Sequence, residues 1–144
     1  MTTNPLKLEN QLCFPLYVCA KEIVRRYKPF LDELDLTYTQ YITMLVLWEA
    51  KELSARELGK KLYLDSGTLT PVLKKLEQKH YLTRCRDAQD ERNLHIALTP
   101  QGKALKARAL SVPKQLCACV GLPPEDQTRL KESLDALMAA FGLG

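Results

Sequence analysis

The sequence lacks the features that mark a membrane-spanning protein, an exported protein or an enzyme. No apolar run approaches the length of a bilayer, and the N-terminus lacks the basic-then-apolar order of a signal peptide. No carboxylate pair, nucleophile triad or glycine-rich phosphate loop is recognisable. We therefore expect a cytoplasmic protein that has no membrane partner, binds no cofactor and is not an enzyme.

Cysteine is present in an odd number, which argues against a disulfide framework in a chain without an export signal. The closest pair, Cys117 and Cys119, has a one-residue spacer where zinc sites use about two to four, and neither His80 nor His95 stands at finger spacing. We expect no metal, and we interpret Cys19 as a small buried core residue. The five thiols belong to Cys13, Cys19, Cys85, Cys117 and Cys119.

Length and charge are typical of one small domain. The chain has 144 residues, and a hydrophobic content of 46% is ample for a core. Nine Lys or Arg and six Asp or Glu lie between Ser54 and Pro100, so this third of the chain carries +3 of the net charge of +4. We expect that segment to attract phosphates nonspecifically.

Two capped helices are predicted after Ser54. Ser54 and Glu57 have the spacing of a capping box, in which the hydroxyl accepts from the third backbone N–H and the Glu reaches back to the cap. After a short break, Asp65 or Ser66 can cap a second helix that continues to Lys79. Its buried stripe, at i, i+3, i+4 and i+7, consists of Leu69, Val72, Leu73 and Leu76.

The outward face of this second helix carries short hydroxyls near its start and two lysines further along. Such hydroxyls suit base edges in the major groove and such cations suit phosphates, although a solvated amphipathic helix would look the same. Pro71 lacks an N–H and lies well inside the helix, so we expect the regular helix to begin nearer Thr68, after a turn at residues 65–67. The candidate DNA contacts are Ser66, Thr68, Thr70, Lys74 and Lys75.

A basic two-stranded hairpin is predicted next, from Tyr81 to Arg86 and from Leu94 to Leu98, where leucine and isoleucine alternate as in a half-buried strand. Its polar tip, residues 87–93, is either an ordinary charged loop or a wing that enters a minor groove. An arginine at such a tip is attracted by the negative potential of A·T-rich DNA, and an acidic neighbour can hold its rotamer. The candidate wing contacts are Arg86, Asp90 and Arg92.

Helices are also predicted on both sides of this module. Thr37 and Gln40 have the spacing of a second capping box, and Pro100 stands at the first position of a helix after the hairpin. The helix that begins at Thr37 is expected to turn Tyr41, Met44, Leu45 and Trp48 inward. An earlier helix has an apolar face made of Leu12, Leu16, Ile23, Tyr27 and Phe30.

These flanking helices carry more apolar surface than a module of 47 residues can cover. Pairing these helices with the same helices of a second copy would bury that surface. The resulting two-fold symmetric dimer could bind both halves of a pseudo-palindromic DNA site. The predicted fold is mainly α with a small β-wing: a winged helix-turn-helix core at residues 37–100, and dimerisation helices at 1–36 and 101–144, within one domain of 1–144.

Four segments resemble a known family and one of its branches. The stretch Leu64–Pro71 and the wing Asp87–Arg92 resemble the MarR family of dimeric winged-helix regulators. The N-terminal motif Leu8–Phe14 and the segment Leu36–Tyr41 are similar to its organic-hydroperoxide-sensing branch, the OhrR-like repressors. The resemblance implies a repressor that leaves its operator when a cysteine is oxidised by an organic hydroperoxide.

The same resemblance implies roles for individual residues. Cys13 matches the reactive thiol, and Tyr27 and Tyr38 match the two tyrosines that hydrogen-bond it. Some relatives resolve the oxidised sulfur with a second cysteine from the opposite subunit, and Cys117 and Cys119 are both candidates. A small thiol capping the sulfenic acid is the alternative.

Helix geometry adds an independent constraint. Fourteen residues separate Cys13 from Tyr27, so on one continuous helix they lie about 21 Å apart along the axis. A donor from Tyr27 to the Cys13 sulfur must therefore come from the other protomer; otherwise the tyrosines are interface packing with solvated hydroxyls. We expect Cys13 near the start of the first helix, after a cap at Asn10, where orphan N–H groups favour negative charge.

A second function of a different kind fits the same DNA-binding core. A MarR-like regulator can instead be released by a small aromatic or lipophilic ligand that binds without covalent chemistry, with Cys13 incidental. A thiol peroxidase is disfavoured, because nothing in the sequence recruits a reductant.

Overall fold

A computed structural model describes residues 4–86, 89 and 94–143. They form two units, divided between Val112 and Pro113. The first unit contains α1 Cys13–Asp32, α2 Tyr38–Ala50, β1 Glu52–Ser54, α3 Ala55–Leu62, α4 Ser66–Gln78, β2 Leu82–Arg86, β3 Leu94–Leu98 and α5 Pro100–Ala109. α6 Val112–Val120 begins at the division, and α7 Pro124–Ala140 follows in the second unit.

Helices α2 and α3 begin where local capping chemistry predicts. Thr37 Oγ1 accepts from the Gln40 N–H at 3.2 Å, and the Thr37 N–H donates to Gln40 Oε1 at 3.1 Å, which completes the capping box of α2. Ser54 Oγ accepts from the Glu57 N–H at 3.1 Å at the start of α3. The Glu57 carboxylate accepts from the Ser54 hydroxyl rather than from the cap backbone, so only half of that predicted capping box forms as expected.

The core of the first unit lies between α2, α4 and the sheet. Fully buried leucines come from several elements, and Trp48 of α2 donates its indole N–H to the Gly102 carbonyl of α5 at 2.9 Å. Gly102 is required there, because a Cβ would lie 2.2 Å from the Tyr81 carbonyl oxygen. The most deeply buried side chains of the core include Met44, Leu47, Leu58, Leu73, Leu76, Leu82 and Ile96.

The hairpin is confirmed, and a third strand joins it. β3 lies between β1 and β2, and both pairings are antiparallel, with Leu53 opposite Ile96 and Arg84 opposite Ile96 from the other side. β1 was not predicted from the sequence, because three residues are too few to show the alternation of a strand. Pairing with β3 therefore anchors the wing to the segment between α2 and α3.

Several burial and boundary predictions are wrong for the isolated chain. Asn10 does not cap α1; Leu12 holds the cap position without a side-chain bond, and the Asn10 amide donates to the Asn4 carbonyl at 2.8 Å instead. Cys19 is exposed rather than buried. Leu45 is also exposed. The buried side of α2 carries Tyr41, Met44 and Trp48, and Leu45, one position after Met44, is turned away from it.

The second unit is a short helical pair. Pro123 and Pro124 separate its two helices, with Pro124 at the first position of α7. The turn between them is fixed by Gln127, whose amide donates to the Leu122 carbonyl at 2.6 Å. Among residues 4–86, 89 and 94–143, no helix is long and apolar enough to cross a bilayer.

Candidate functional site

α4 presents its predicted contact residues to solvent. Asp65 caps the helix by accepting from the Thr68 N–H at 2.7 Å, and this bond, with one from the Thr68 side chain, holds the pKa of Asp65 below its usual range. The opposite face buries Leu69, Leu73 and Leu76. The residues predicted to contact DNA, namely Ser66, Thr68, Thr70, Lys74 and Lys75, are all exposed.

The predicted start of this helix is wrong. Ser66 and not Thr68 begins the regular helix, because the Asp65 carboxylate takes over the orphan N–H of Thr68. Pro71 then falls at the sixth position, where it leaves the Gly67 carbonyl without its usual helical donor. Both residues are exposed, so water can hydrate that carbonyl and the proline is tolerated.

The hydroxyls of α4 are oriented by local bonds. The Thr70 hydroxyl donates to the Ser66 carbonyl at 2.7 Å. Because its hydrogen is used within the helix, the Thr70 oxygen faces solvent as an acceptor. Thr68 makes a similar local bond to Asp65.

The C-terminal end of α4 is fixed to the sheet. Glu77 accepts from Arg84 three times, from the backbone N–H at 3.0 Å, from Nη2 at 3.0 Å and from Nε at 3.3 Å. These bonds from the Arg84 side chain and backbone hold the pKa of Glu77 below its usual range. The orientation of α4 is therefore tied to the first strand of the wing.

Further cations lie on α3, and they were not among the residues predicted to contact DNA. Arg56, Lys60 and Lys61 are exposed, while Leu58 on the same helix is fully buried. The first helix of a helix-turn-helix crosses the nucleic-acid backbone, so cations there suit phosphates. Arg56 and Lys60 are each two positions from the buried Leu58 and so fall on the opposite face of the helix, and that spacing was the signal that could have found them.

The wing is described only in part. Arg86 is exposed at the end of β2, opposite Leu94 of β3. Asp90 and Arg92, which were predicted to contact DNA, lie outside the described residues.

Cys13 is the first residue of α1 and is exposed. The first turn of a helix carries orphan N–H groups and the positive end of its dipole, an environment that favours an anion. Phe14 is 42% exposed and Tyr17 is 60% exposed in the next turn, so apolar surface adjoins the thiol.

The two candidate tyrosines contact each other, far from the Cys13 of their own chain. The ring centroids of Tyr27 and Tyr38 are 5.0 Å apart, and Tyr41 lies 5.6 Å from Tyr27 as a third member. Burial raises the pKa of Tyr38 and of Tyr41, so these phenols stay neutral. α1 is one helix from Cys13 through Tyr27, which puts about 21 Å of axial rise between them.

The two candidate resolving cysteines lie on α6. Both are exposed, and the Cys117 thiol donates to Gln127 Oε1 across 3.6 Å. Cys119 lies two residues further along the same helix. Across the part of the chain that the structure describes, no group of three metal-ligating side chains comes together.

Comparisons with known proteins agree on one family. A model described as transcriptional regulator SarA/Rot matches residues 25–109. The organic hydroperoxide resistance transcriptional regulator of Bacillus subtilis (strain 168) is 46% identical over 133 residues, which are 92% of this chain and 90% of that protein. The HTH-type transcriptional regulator SarZ of Staphylococcus saprophyticus is 48% identical over 127 residues, 88% of this chain and 87% of SarZ.

Solved structures agree with the sequence relatives. Reduced AbfR bound to DNA is 34% identical, with a TM-score of 0.76 over 93% of this chain and 94% of that chain. AbfR of Staphylococcus epidermidis is 33% identical, with a TM-score of 0.72 over 93% of this chain and 92% of that one. The predicted winged helix is thereby confirmed, and the chain belongs to the SarA/Rot family of transcriptional regulators, which have a MarR-like fold.

Proposed function

We propose that this protein is a dimeric, DNA-binding repressor that leaves its operator when an organic hydroperoxide oxidises Cys13. The observation that carries the proposal is the layout of α1, which has an exposed thiol at its first residue and, 14 residues further along, Tyr27, whose ring packs on Tyr38 of α2. The relative from Bacillus subtilis, named for organic hydroperoxide resistance, supports the choice of oxidant.

DNA is contacted by α4 and the wing. The exposed hydroxyls of α4 stand over its first two turns and meet base edges in the major groove, while Lys74 and Lys75 meet phosphates. Because the Thr70 oxygen faces outward as an acceptor, it suits the exocyclic amino group of adenine or cytosine. Arg86 and Arg92 of the wing contact the adjacent minor groove, where the negative potential attracts a guanidinium, and Asp90 holds the rotamer of Arg92.

Dimerisation uses the helices outside the winged core of residues 37–100. α1 and the residues just before it expose a series of apolar side chains that a single chain leaves in water, and the second unit does the same. A two-fold dimer through residues 1–36 and 101–144 buries these side chains and sets one spacing between the two copies of α4. The exposed apolar side chains that this dimer buries include Leu8, Leu12, Phe14, Val18, Val24, Leu130, Leu134 and Phe141.

The sensor pocket is shared by two protomers. Cys13 of one protomer meets Tyr27 and Tyr38 of the other, because the two sites are too far apart within one α1. Neutral phenols donate hydrogen bonds to a thiolate and so stabilise it. The apolar side chains of Phe14 and Tyr17 favour a peroxide with an alkyl tail over hydrogen peroxide.

The chemistry is a two-electron oxidation of sulfur. The Cys13 thiolate attacks the O–O bond of the hydroperoxide, a sulfur–oxygen bond forms, and the alkoxide leaves and takes up a proton to become the alcohol. The resulting sulfenic acid condenses with a second thiol, giving a disulfide and water. That thiol is Cys117 or Cys119 of the partner or, if neither reaches, a small cellular thiol.

The deciding experiment measures release of bound DNA. The probe is a fluorescein-labelled duplex selected from a random-sequence pool by the reduced protein, and cumene hydroperoxide is added to the complex. We expect release from the wild type and retention by Cys13→Ser, with Cys19→Ser as the matched control because Cys19 is an exposed thiol on the same helix. Release from Cys13→Ser would reject the thiol sensor and favour a non-covalent ligand.

A further inference from the structure

One lysine joins the DNA-facing helix to the body of the protein. Lys79 is the C-cap of α4, and its Nζ donates to Gln40 Oε1 at 3.1 Å and to the backbone carbonyl of Asp35. The Asp35 carboxylate lies 3.5 Å from the same ammonium. The Lys79 side chain is only 26% exposed, whereas Lys74 and Lys75 point to solvent. Lys79 therefore binds the protein rather than DNA.

Gln40 connects this lysine to the tyrosine pair. Gln40 is 3% exposed, and its Oε1 accepts from both Lys79 and the Thr37 N–H. Tyr38, the first residue of α2, stands between the two partners of this capping box and packs on Tyr27. A displacement of Tyr38 moves the first turn of α2, and Gln40 moves with it.

The α1–α2 corner, residues 33–37, is held by cations from two other helices. Lys79 donates to the Asp35 carbonyl, and Arg108 of α5 donates from Nη2 to the Glu33 carbonyl at 2.7 Å. Both carbonyls lie just beyond the C-terminal end of α1, where the helix dipole favours positive charge. Asp35 has a φ of 53°, in the left-handed region that L-residues other than Asn and Asp rarely adopt, and these bonds hold the corner in that conformation.

We propose that Lys79 is a positioning residue that couples the oxidation state of the thiol–tyrosine pocket to the orientation of α4. The inference rests on the proposed function. In the reduced protein, Tyr38 donates to the thiolate and the Lys79 contacts hold α4 in its DNA-binding orientation. When the sulfur is oxidised and Tyr38 changes partner, the first turn of α2 shifts, and Lys79 carries the shift to the end of α4. Coupling requires that these contacts differ between the two states.

The test compares the affinity for DNA before and after oxidation. Dissociation constants for the selected duplex are measured with reduced protein and with protein treated with cumene hydroperoxide, and their ratio is the response. Lys79→Met, which keeps the length but removes the charge, is expected to lower that ratio about three- to thirtyfold. Lys79→Arg, which restores a cation with several donors, is expected to recover part of it.

Controls separate coupling from simple loss of stability or of phosphate contact. Lys75→Met weakens binding in both states by the same factor and leaves the ratio unchanged, because Lys75 is exposed. Trapping of the Cys13 sulfenic acid with dimedone, followed by mass spectrometry, is expected to proceed at the wild-type rate in Lys79→Met. Lys79→Gln serves in the same measurements should Lys79→Met fail to fold, with the same expected fall.

The possible results separate the two proposals. The coupling role of Lys79 is overturned if Lys79→Met has the same ratio of dissociation constants as the wild type, or if its sulfenic acid forms more slowly. If the wild type itself has the same dissociation constant before and after oxidation, the proposed function is overturned, whatever the variant does. A lower ratio with an unchanged rate of sulfenic acid formation supports the inference.

Discussion

A pocket built across the dimer can be tested by mixing two defective protomers. One protomer carries Cys13→Ser and keeps both tyrosines; the other carries Tyr27→Phe and Tyr38→Phe and keeps its thiol. In this heterodimer the remaining Cys13 faces the intact tyrosines of its partner if the pocket is shared. If the pocket lies within one chain, the remaining Cys13 has no phenol.

The structure makes the two alternatives distinct, because Cys13 and Tyr27 are about 21 Å apart along α1, far beyond hydrogen-bond distance. Hydrogen bonds to a charged group contribute about 1.5 kcal/mol each, so two phenols stabilise the thiolate by about 3 kcal/mol. A stabilised thiolate is also a weaker nucleophile, which cancels about half of the gain in rate. Loss of both phenols should therefore slow oxidation about tenfold.

The assay follows sulfenic acid formation at Cys13 under excess cumene hydroperoxide, in heterodimers purified through two different affinity tags. We expect the heterodimer to react at the wild-type rate per remaining thiol, and the Tyr27→Phe, Tyr38→Phe homodimer to react about tenfold more slowly. A heterodimer as slow as that homodimer would refute the shared pocket.

Three further predictions concern stability and DNA binding. Gly102→Ala should lower the free energy of unfolding by about 1–3 kcal/mol in urea titrations, since its Cβ would lie 2.2 Å from a backbone oxygen. Gly67→Ala should not lower it, because a Cβ there meets only Asp65 Oδ1 at an ordinary contact distance of 3.6 Å. Arg84 lowers the pKa of Glu77, so this ion pair stabilises the folded state at pH values above 4.5, the ordinary pKa of the carboxyl. The stabilisation is lost as the pH falls through the lowered pKa. Arg84→Met should therefore flatten the pH dependence of the free energy of unfolding in that range. Lys74→Ala should reduce the slope of log affinity against log salt by about one in DNA titrations, and an unchanged slope would remove Lys74 from the phosphate contacts.

Features that depend on neighbouring residues were predictable from the sequence. The caps at Thr37, Ser54, Asp65 and Thr99 each bond a backbone N–H three residues ahead, so a short stretch of sequence contains both partners. The two strands of the hairpin and the exposed face of α4 were recovered for the same reason, since each follows from a local period.

Features that depend on distant partners were not predictable in this way. β1 exists because residues 52–54 pair with β3, more than 40 positions later, and no local alternation announces it. Lys79 looked like the end of an amphipathic helix, yet its partners Asp35 and Gln40 lie 44 and 39 residues earlier. Cys19 was assigned to a core because cysteine favours burial, whereas it is exposed in a single chain.

The length of α1 connects the shared pocket to the symmetry of the proposed dimer. α1 has 20 residues and is about 30 Å long, and Cys13 and Tyr27 span about 21 Å of it. Antiparallel pairing of two copies of α1 places the start of each helix beside the later turns of the other. In a two-fold interface every contact occurs twice, so two identical pockets form. The exposed apolar side chains Val18 and Val24 lie between Cys13 and Tyr27 on each helix, where this pairing would bury them. In a dimer held in that way, a change in the contacts of either pocket changes the crossing angle of the two α1 helices. The distance between the two α4 helices depends on that angle.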